Sequence, residues 1–162
     1  MQVAGEYVEA LRLFLAGDHA FNDLSRQLED RDGRDGGDVY AALAGMAFAV
    51  AAWRRFGPSY QAGDVIRFVA QIRTALHGSG TDIDPRTAER VLRAVLGDTT
   101  AAEGLDERAK ALAVPALLAA MVDHLGLSDS DLDTFVAEVR SRAERVLAGR
   151  PPQSCLPGVS AP

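Results

Sequence analysis

Acidic residues and glycines alternate in one short stretch of the chain, and carboxylates spaced in this way can bind calcium. Residues 30–38 read DRDGRDGGD. A calcium loop of the EF-hand type needs oxygen ligands at its first, third and fifth positions, glycine at the sixth and glutamate at the twelfth. Counted from Asp30 or from Asp32, one early ligand position falls on Arg34 and the twelfth falls on an apolar residue. The stretch is therefore predicted to be a solvated loop.

The three histidines, His19, His77 and His124, lack the spacing of metal ligands. None has a second histidine within a helical turn, and none follows glutamate by three positions. His77 and His124 come just before glycines that end predicted helices, where the helix dipole favours a positive charge. A second acidic cluster at residues 129–133 lies at a predicted helix start, where negative charge is favoured. The sequence predicts no metal ion and no cofactor.

Nucleophilic side chains are present without the surroundings that activate them. The serines after His124 lack the strand and sharp turn of a nucleophile elbow, and residues 78–81 (GSGT) lack the lysine of a phosphate-binding loop. Cys155 is the single cysteine and stands in a proline-rich tail. The sequence leans towards a protein without enzymatic activity, and it leaves the question open.

Arg86, Arg90 and Arg93 share one face of a predicted helix, as the side chains of a DNA recognition helix do. The link to the preceding helix is longer than the turn of a helix-turn-helix motif. Glu89 can also neutralise Arg93 across one helical turn. The pattern favours a solvated face over a nucleic-acid contact.

Five residues are candidates for a pocket or an interaction surface: Tyr40, Trp53, Arg54, Arg55 and His124. Trp53 stands beside two arginines at the end of an apolar segment. Amphipathic corners of this kind are typical of interfaces and pocket mouths. Packing in the core is the alternative for both aromatic residues.

Residues 39–53 (VYAALAGMAFAVAAW) are the element that must position most of these side chains. The segment is uncharged. As a helix it would be about 22 Å long, short of the ~30 Å hydrocarbon core of a membrane. It is predicted to be a buried central helix in a protein with no membrane contact. Ala41 and Gly45 belong to a stripe of small residues that would admit a close neighbour, so Gly45→Leu is predicted to destabilise the fold severely.

Apolar residues at helical spacing predict further helices on both sides of this segment. The expected fold is all-α, a compact bundle of six to seven helices around the alanine-rich central one. Gly17, Gly97 and Gly126 are predicted to end helices, and Asp84 is predicted to begin one. Pro115 is predicted to kink or split the helix that contains it.

Residues 1–149 are expected to form a single helical domain, and residues 150–162 a mobile proline-rich tail. The net charge of −6 argues against general binding to nucleic acid or to anionic membranes. Arginine greatly outnumbers lysine, as in proteins of bacteria with GC-rich genomes. The single cysteine fits a reducing compartment, so a bacterial, cytoplasmic protein is expected.

Three classes of function remain open. The first is a protein–protein interaction or regulatory module, with a protein partner or self-association. The second is a small-molecule-binding bundle or enzyme with a pocket near Trp53 and His124, and the third is a DNA-binding regulator. A wide exposed apolar patch would favour the first class, and an apolar cavity with convergent polar atoms would favour the second. A contiguous arginine face would favour the third.

Overall fold

The computed structural model describes residues 2–77 and 82–149. In chain order the helices are α1 (Gly5–Leu15), α2 (Ala20–Phe56), α3 (Ala62–Leu76), α4 (Pro85–Val95), α5 (Glu107–Leu125) and α6 (Asp129–Leu147), with a short 3-10 helix at Thr99–Ala102. Six α-helices, and no strand in the two described ranges, confirm the predicted all-α fold class. The predicted link at 78–81 and the predicted tail at 150–162, with Cys155, lie outside the described residues.

Side-chain caps and glycines define the helix ends close to their predicted positions. Asp84 begins α4 by accepting a hydrogen bond from the backbone N–H of Thr87 at 2.7 Å. Asp106 begins α5 in the same way, with the N–H of Ala109 at 2.7 Å. Gly126 follows α5 with φ of 59°, a left-handed conformation that glycine adopts at low cost. These signals are local, which is why the sequence alone reveals them.

The predicted loop at residues 30–38 is wrong, because these residues belong to α2. The backbone leaves the helical region at Gly33, with φ of 54° and ψ of −132°, and helix continues on both sides. Residues with a side chain rarely adopt this conformation, so glycine supplies the bend. We call residues 20–32 the first limb of α2 and residues 34–56 its second limb.

The chain divides into two compact units. The first unit comprises Met1–Met46 and Asp129–Pro162, and the second comprises Ala47–Ser128. Within the first unit α1 packs against α6, and Arg12 Nε lies 2.5 Å from Asp133 Oδ1. Within the second unit α4 contacts α3, α5 and the 3-10 helix. The single-domain organisation expected for residues 1–149 stays a prediction.

Burial along residues 39–53 differs from the predicted stripes. Leu43 and Val50 of the predicted inner stripe are buried. In the predicted small stripe, however, Ala41 and Gly45 are exposed. A Cβ built on Gly45 meets no atom within 4 Å among the described residues, so the expectation that Gly45→Leu overpacks a close helix contact is wrong. Helical spacing identifies faces, but the neighbouring elements decide which face is covered.

Helix α5 runs through Pro115 without being split. Pro115 is exposed, whereas Leu117, Leu118 and Met121 are buried. The proline therefore lies on the solvent side of the helix, where a missing hydrogen bond can be replaced by water. The predicted split is wrong.

Helix α2 is the one described helix that is long and apolar enough to cross a membrane. An 18-residue window within its 37 residues has a mean hydropathy of 1.3, and 39% of that window is buried. Core helices of water-soluble proteins meet the same criterion, so it gives only weak support for a membrane span. The expected absence of membrane contact stays a prediction.

Candidate functional site

A pocket of about 660 Å³ opens in the first unit beside the bend of α2. Its size falls within the range of small-molecule binding sites, roughly 300–1,000 Å³. Its walls come from α1 and from both limbs of α2. The lining residues are Tyr7, Ala10, Ser25, Leu28, Glu29, Gly33, Arg34, Gly36, Gly37, Asp38 and Tyr40. We call this cavity the bend pocket.

The close approach of α1 to α2 depends on Gly36. A Cβ built on Gly36 would fall on the Tyr7 hydroxyl and lie 2.7 Å from Asp32 Cβ. Tyr7 is only 6% exposed, so its ring has little room to move aside. A Cβ built on the neighbouring Gly37 meets no described atom within 4 Å. Glycine is therefore required by packing at position 36 and not at position 37.

Tyr7 and Asp32 connect α1 to the first limb of α2 through a hydrogen-bonded network. The Tyr7 hydroxyl donates to Asp32 Oδ2 at 2.5 Å. Arg31 donates to both carboxylate oxygens of Asp32, at 2.8 and 2.7 Å, and to Glu6 Oε1 at 2.9 Å. The hydrogen bonds from Arg31 and then from Tyr7 lower the pKa of Asp32 to about 2. Asp32 is thus a structural anion at neutral pH.

Tyr40 lines the pocket from the second limb and belongs to an aromatic cluster. Its ring centroid lies 6.4 Å from that of Phe21, which in turn lies 5.3 Å from that of Phe14. Burial raises the pKa of Tyr40 to about 12, so the phenol is neutral at physiological pH. The pocket therefore combines aromatic walls with a polar hydroxyl.

Three charged side chains complete the lining: Glu29, Arg34 and Asp38. Glu29 is on the first limb, and Arg34 and Asp38 are on the second. All three are exposed. Among the described residues none of the three has a hydrogen-bond or ion-pair partner. Their charges are available to a ligand.

Two of the predicted site residues, Arg55 and His124, meet on Phe68 in the second unit. The guanidinium of Arg55 lies 5.3 Å from the centroid of the Phe68 ring and 5.2 Å from that of Phe56. The His124 ring contacts Phe68 edge-on at 5.2 Å, and its Nδ1 lies 3.2 Å from the carbonyl oxygen of Ala120. Cation–π contacts of this kind stabilise packing without forming a reaction centre.

A smaller cavity of about 260 Å³ adjoins this cluster. Its polar lining includes Arg55, Gln71 and an ion pair between Arg67 and Asp64 at 2.5 Å. Trp53 is half-buried and Arg54 is exposed, and neither lines this cavity or the bend pocket. Of the five predicted site residues, the structure places Tyr40 in the bend pocket and Arg55 in the smaller cavity.

The arginine face of α4 is largely engaged in contacts within the second unit. Arg90 donates from Nε to the carbonyl oxygen of Ala101 at 3.2 Å and from Nη2 to the carbonyl oxygen of Glu103. Arg93 pairs with Asp98 at 2.5 Å. Two of the three arginines thus fasten the segment after α4.

The sequence reasoning identified one residue of the bend pocket, Tyr40, and missed the rest. It examined residues 30–38 for calcium ligands, whereas the pocket uses Arg34 and Asp38 from that stretch as side chains of a bent helix. The paired glycines at 36 and 37 were the available signal, because adjacent glycines in a helix indicate close backbone approach. In residues 2–77 and 82–149 no group of three or more His, Cys, Asp or Glu side chains is arranged to hold a metal ion.

Comparison with known proteins leaves the bend pocket as the main guide to function. No protein family, no curated protein and no solved structure matches the chain.

Proposed function

We propose that this protein binds a small organic molecule in the bend pocket and acts as a binding or regulatory module. The observation that carries the proposal is the pocket itself, about 660 Å³ in volume, lined by two tyrosines and by charged side chains without partners. Apolar walls with a few convergent polar groups are the usual composition of ligand sites.

The features that favour the competing classes are weaker. Large apolar side chains that are exposed within the described ranges are Ile66, Leu112 and Val146, and each belongs to a different helix. A docking face for another protein would place such residues together. On α4, Arg90 and Arg93 already bind other groups of the chain, which lowers the support for DNA recognition.

Binding explains the pocket better than catalysis does. Asp32 is held by Arg31 and Tyr7, and its lowered pKa makes it a poor base. Tyr40 is a neutral phenol whose raised pKa makes it a poor acid. A bound molecule would contact α1 and both limbs of α2 at once and would stabilise the first unit by mass action.

Nile red, a neutral dye that fluoresces in apolar surroundings, provides a direct test. We expect the folded protein to bind the dye saturably, with one molecule per chain. Gly37→Leu should abolish this signal, because Gly37 lines the pocket and a side chain there meets no described atom. Ser25→Leu, on the opposite limb, should weaken the signal independently.

Gly45→Leu is the matched control. It also replaces a glycine of the second limb whose Cβ faces open space, but Gly45 does not line the pocket. The control should bind the dye as the wild type does. Absence of saturable binding, or equal loss in Gly37→Leu and Gly45→Leu, would overturn the proposal.

A further inference from the structure

We infer that the ligand of the bend pocket is an amphipathic organic amine, with a positively charged nitrogen and a hydrocarbon or aryl body. This inference rests on the proposed binding function and adds the chemical class of the ligand. It depends on two features of the pocket: the sign of the charge at its rim and the aromatic character of its wall.

Negative charge predominates around the bend. Residues 29–38 (EDRDGRDGGD) contain five carboxylates and two guanidinium groups. Arg31 is committed to Asp32 and Glu6, which leaves Arg34 as the positive charge that lines the pocket. Glu29 and Asp38 also line it, from opposite limbs of the helix. A cation is therefore attracted to this rim, and an anion is repelled.

The aromatic wall reinforces the preference for a cation. The side chains of Tyr7 and Tyr40 line the pocket from α1 and from the second limb. The faces of tyrosine rings attract ammonium groups at distances of up to about 6 Å from the ring centroid. Leu28 and Ala10, both buried, supply apolar surface for the rest of the ligand. The pocket thus presents a charged end and an apolar end.

Three probes of one skeleton test the inference: phenylbutylamine, phenylbutanol and phenylbutyrate. They differ in carrying a positive charge, no charge or a negative charge. Isothermal titration calorimetry at low ionic strength should give an affinity for the amine about fivefold tighter than for the alcohol. That ratio corresponds to two exposed ion pairs of ~0.5 kcal/mol each. The butyrate should bind most weakly, and added salt should reduce the preference for the amine.

Variants locate the preference at the rim. The double variant Glu29→Gln with Asp38→Asn should bind the amine and the alcohol with equal affinity, while Arg34→Gln should tighten binding of the amine. The matched control is Asp30→Asn with Asp35→Asn, which removes two exposed carboxylates of the same bend that do not line the pocket. The control should retain most of the preference.

The outcomes separate the two claims. If the alcohol binds as tightly as the amine, or the butyrate binds more tightly, the amine inference is overturned and the proposed binding function stands. If none of the three probes binds, and Nile red does not bind either, both claims are overturned. A preference for the amine that survives the double variant would also overturn the assignment to Glu29 and Asp38.

Discussion

Gly36 is the residue on which the first unit depends most closely. The Tyr7 hydroxyl occupies the space that a side chain at position 36 would need, and from there it reaches Asp32. The absence of one methyl group thus allows α1 to contact α2 through a hydrogen bond to a carboxylate. Gly37, one position later, lines the pocket instead.

Asp32 makes the stability of this contact dependent on pH. Its pKa is lowered from 3.8 to about 2 by Arg31 and Tyr7, so folding favours the charged carboxylate. The resulting stabilisation is present above pH 4 and is lost as the pH falls from about 4 to about 2. We expect the free energy of unfolding, measured with urea, to fall across this window and to fall less steeply in Asp32→Asn.

Asp35→Asn is the control for that experiment, because Asp35 is an exposed carboxylate of the same bend. Its acid dependence should match that of the wild type. Identical acid profiles for Asp32→Asn and the wild type would contradict the role given to the Tyr7–Asp32–Arg31 network.

At the scale of elements, the sequence predicted helix ends well and the bend of α2 badly. Asp84, Asp106 and Gly126 act through contacts with their own neighbours in sequence, and such signals are readable without a fold. Residues 30–38 have the glycine and aspartate content of a loop. They form helix because contacts with α1, above all that of Tyr7, offset a poor intrinsic propensity. Those contacts join residues distant in sequence.

Arg90 is predicted to stabilise the segment that follows α4. Its guanidinium group binds the carbonyl oxygens of Ala101 and Glu103. Arg90→Leu should therefore cost about 1 kcal/mol, since partly exposed charged hydrogen bonds are worth this order of free energy. Arg86, exposed on the same face of α4, has no hydrogen-bond partner among the described residues.

Arg86→Leu is thus the matched variant, and its effect should stay within roughly 0.5 kcal/mol. Urea unfolding of the two variants measures the difference. Equal costs would contradict the assignment of Arg90 as a structural residue and would return weight to an arginine face kept for a partner.

At the scale of the whole molecule, composition and periodicity were sufficient for the fold class and insufficient for the site. Apolar spacing predicts that helices form, and six are present in the described ranges. The bend pocket arises where α1 meets a bent helix, and no single segment of sequence encodes that meeting. The same limit explains the exposed Gly45: a stripe of small residues has no consequence unless a neighbour covers it.

The expected cytoplasmic location, the bacterial origin and the protein partner stay predictions. A membrane association can be tested directly, because α2 is apolar enough to raise the question. We expect the protein to remain in the supernatant after ultracentrifugation of a cell lysate without detergent. Recovery in the membrane pellet that resists a high-salt wash would contradict this expectation.

The account as a whole depends on the contact between Tyr7 and Gly36, since it brings α1 against the bend and forms the pocket. A double-mutant cycle of Tyr7→Phe and Gly36→Ala, measured by urea unfolding, tests this contact most directly. Gly36→Ala should destabilise the wild type by about 1–2 kcal/mol through overpacking, and Gly37→Ala should stabilise it by about 0.5 kcal/mol. In the Tyr7→Phe background, Gly36→Ala should cost at least about 0.5 kcal/mol less, because the obstructing hydroxyl is gone. Additive effects, or a stabilising Gly36→Ala in the wild type, would contradict the account.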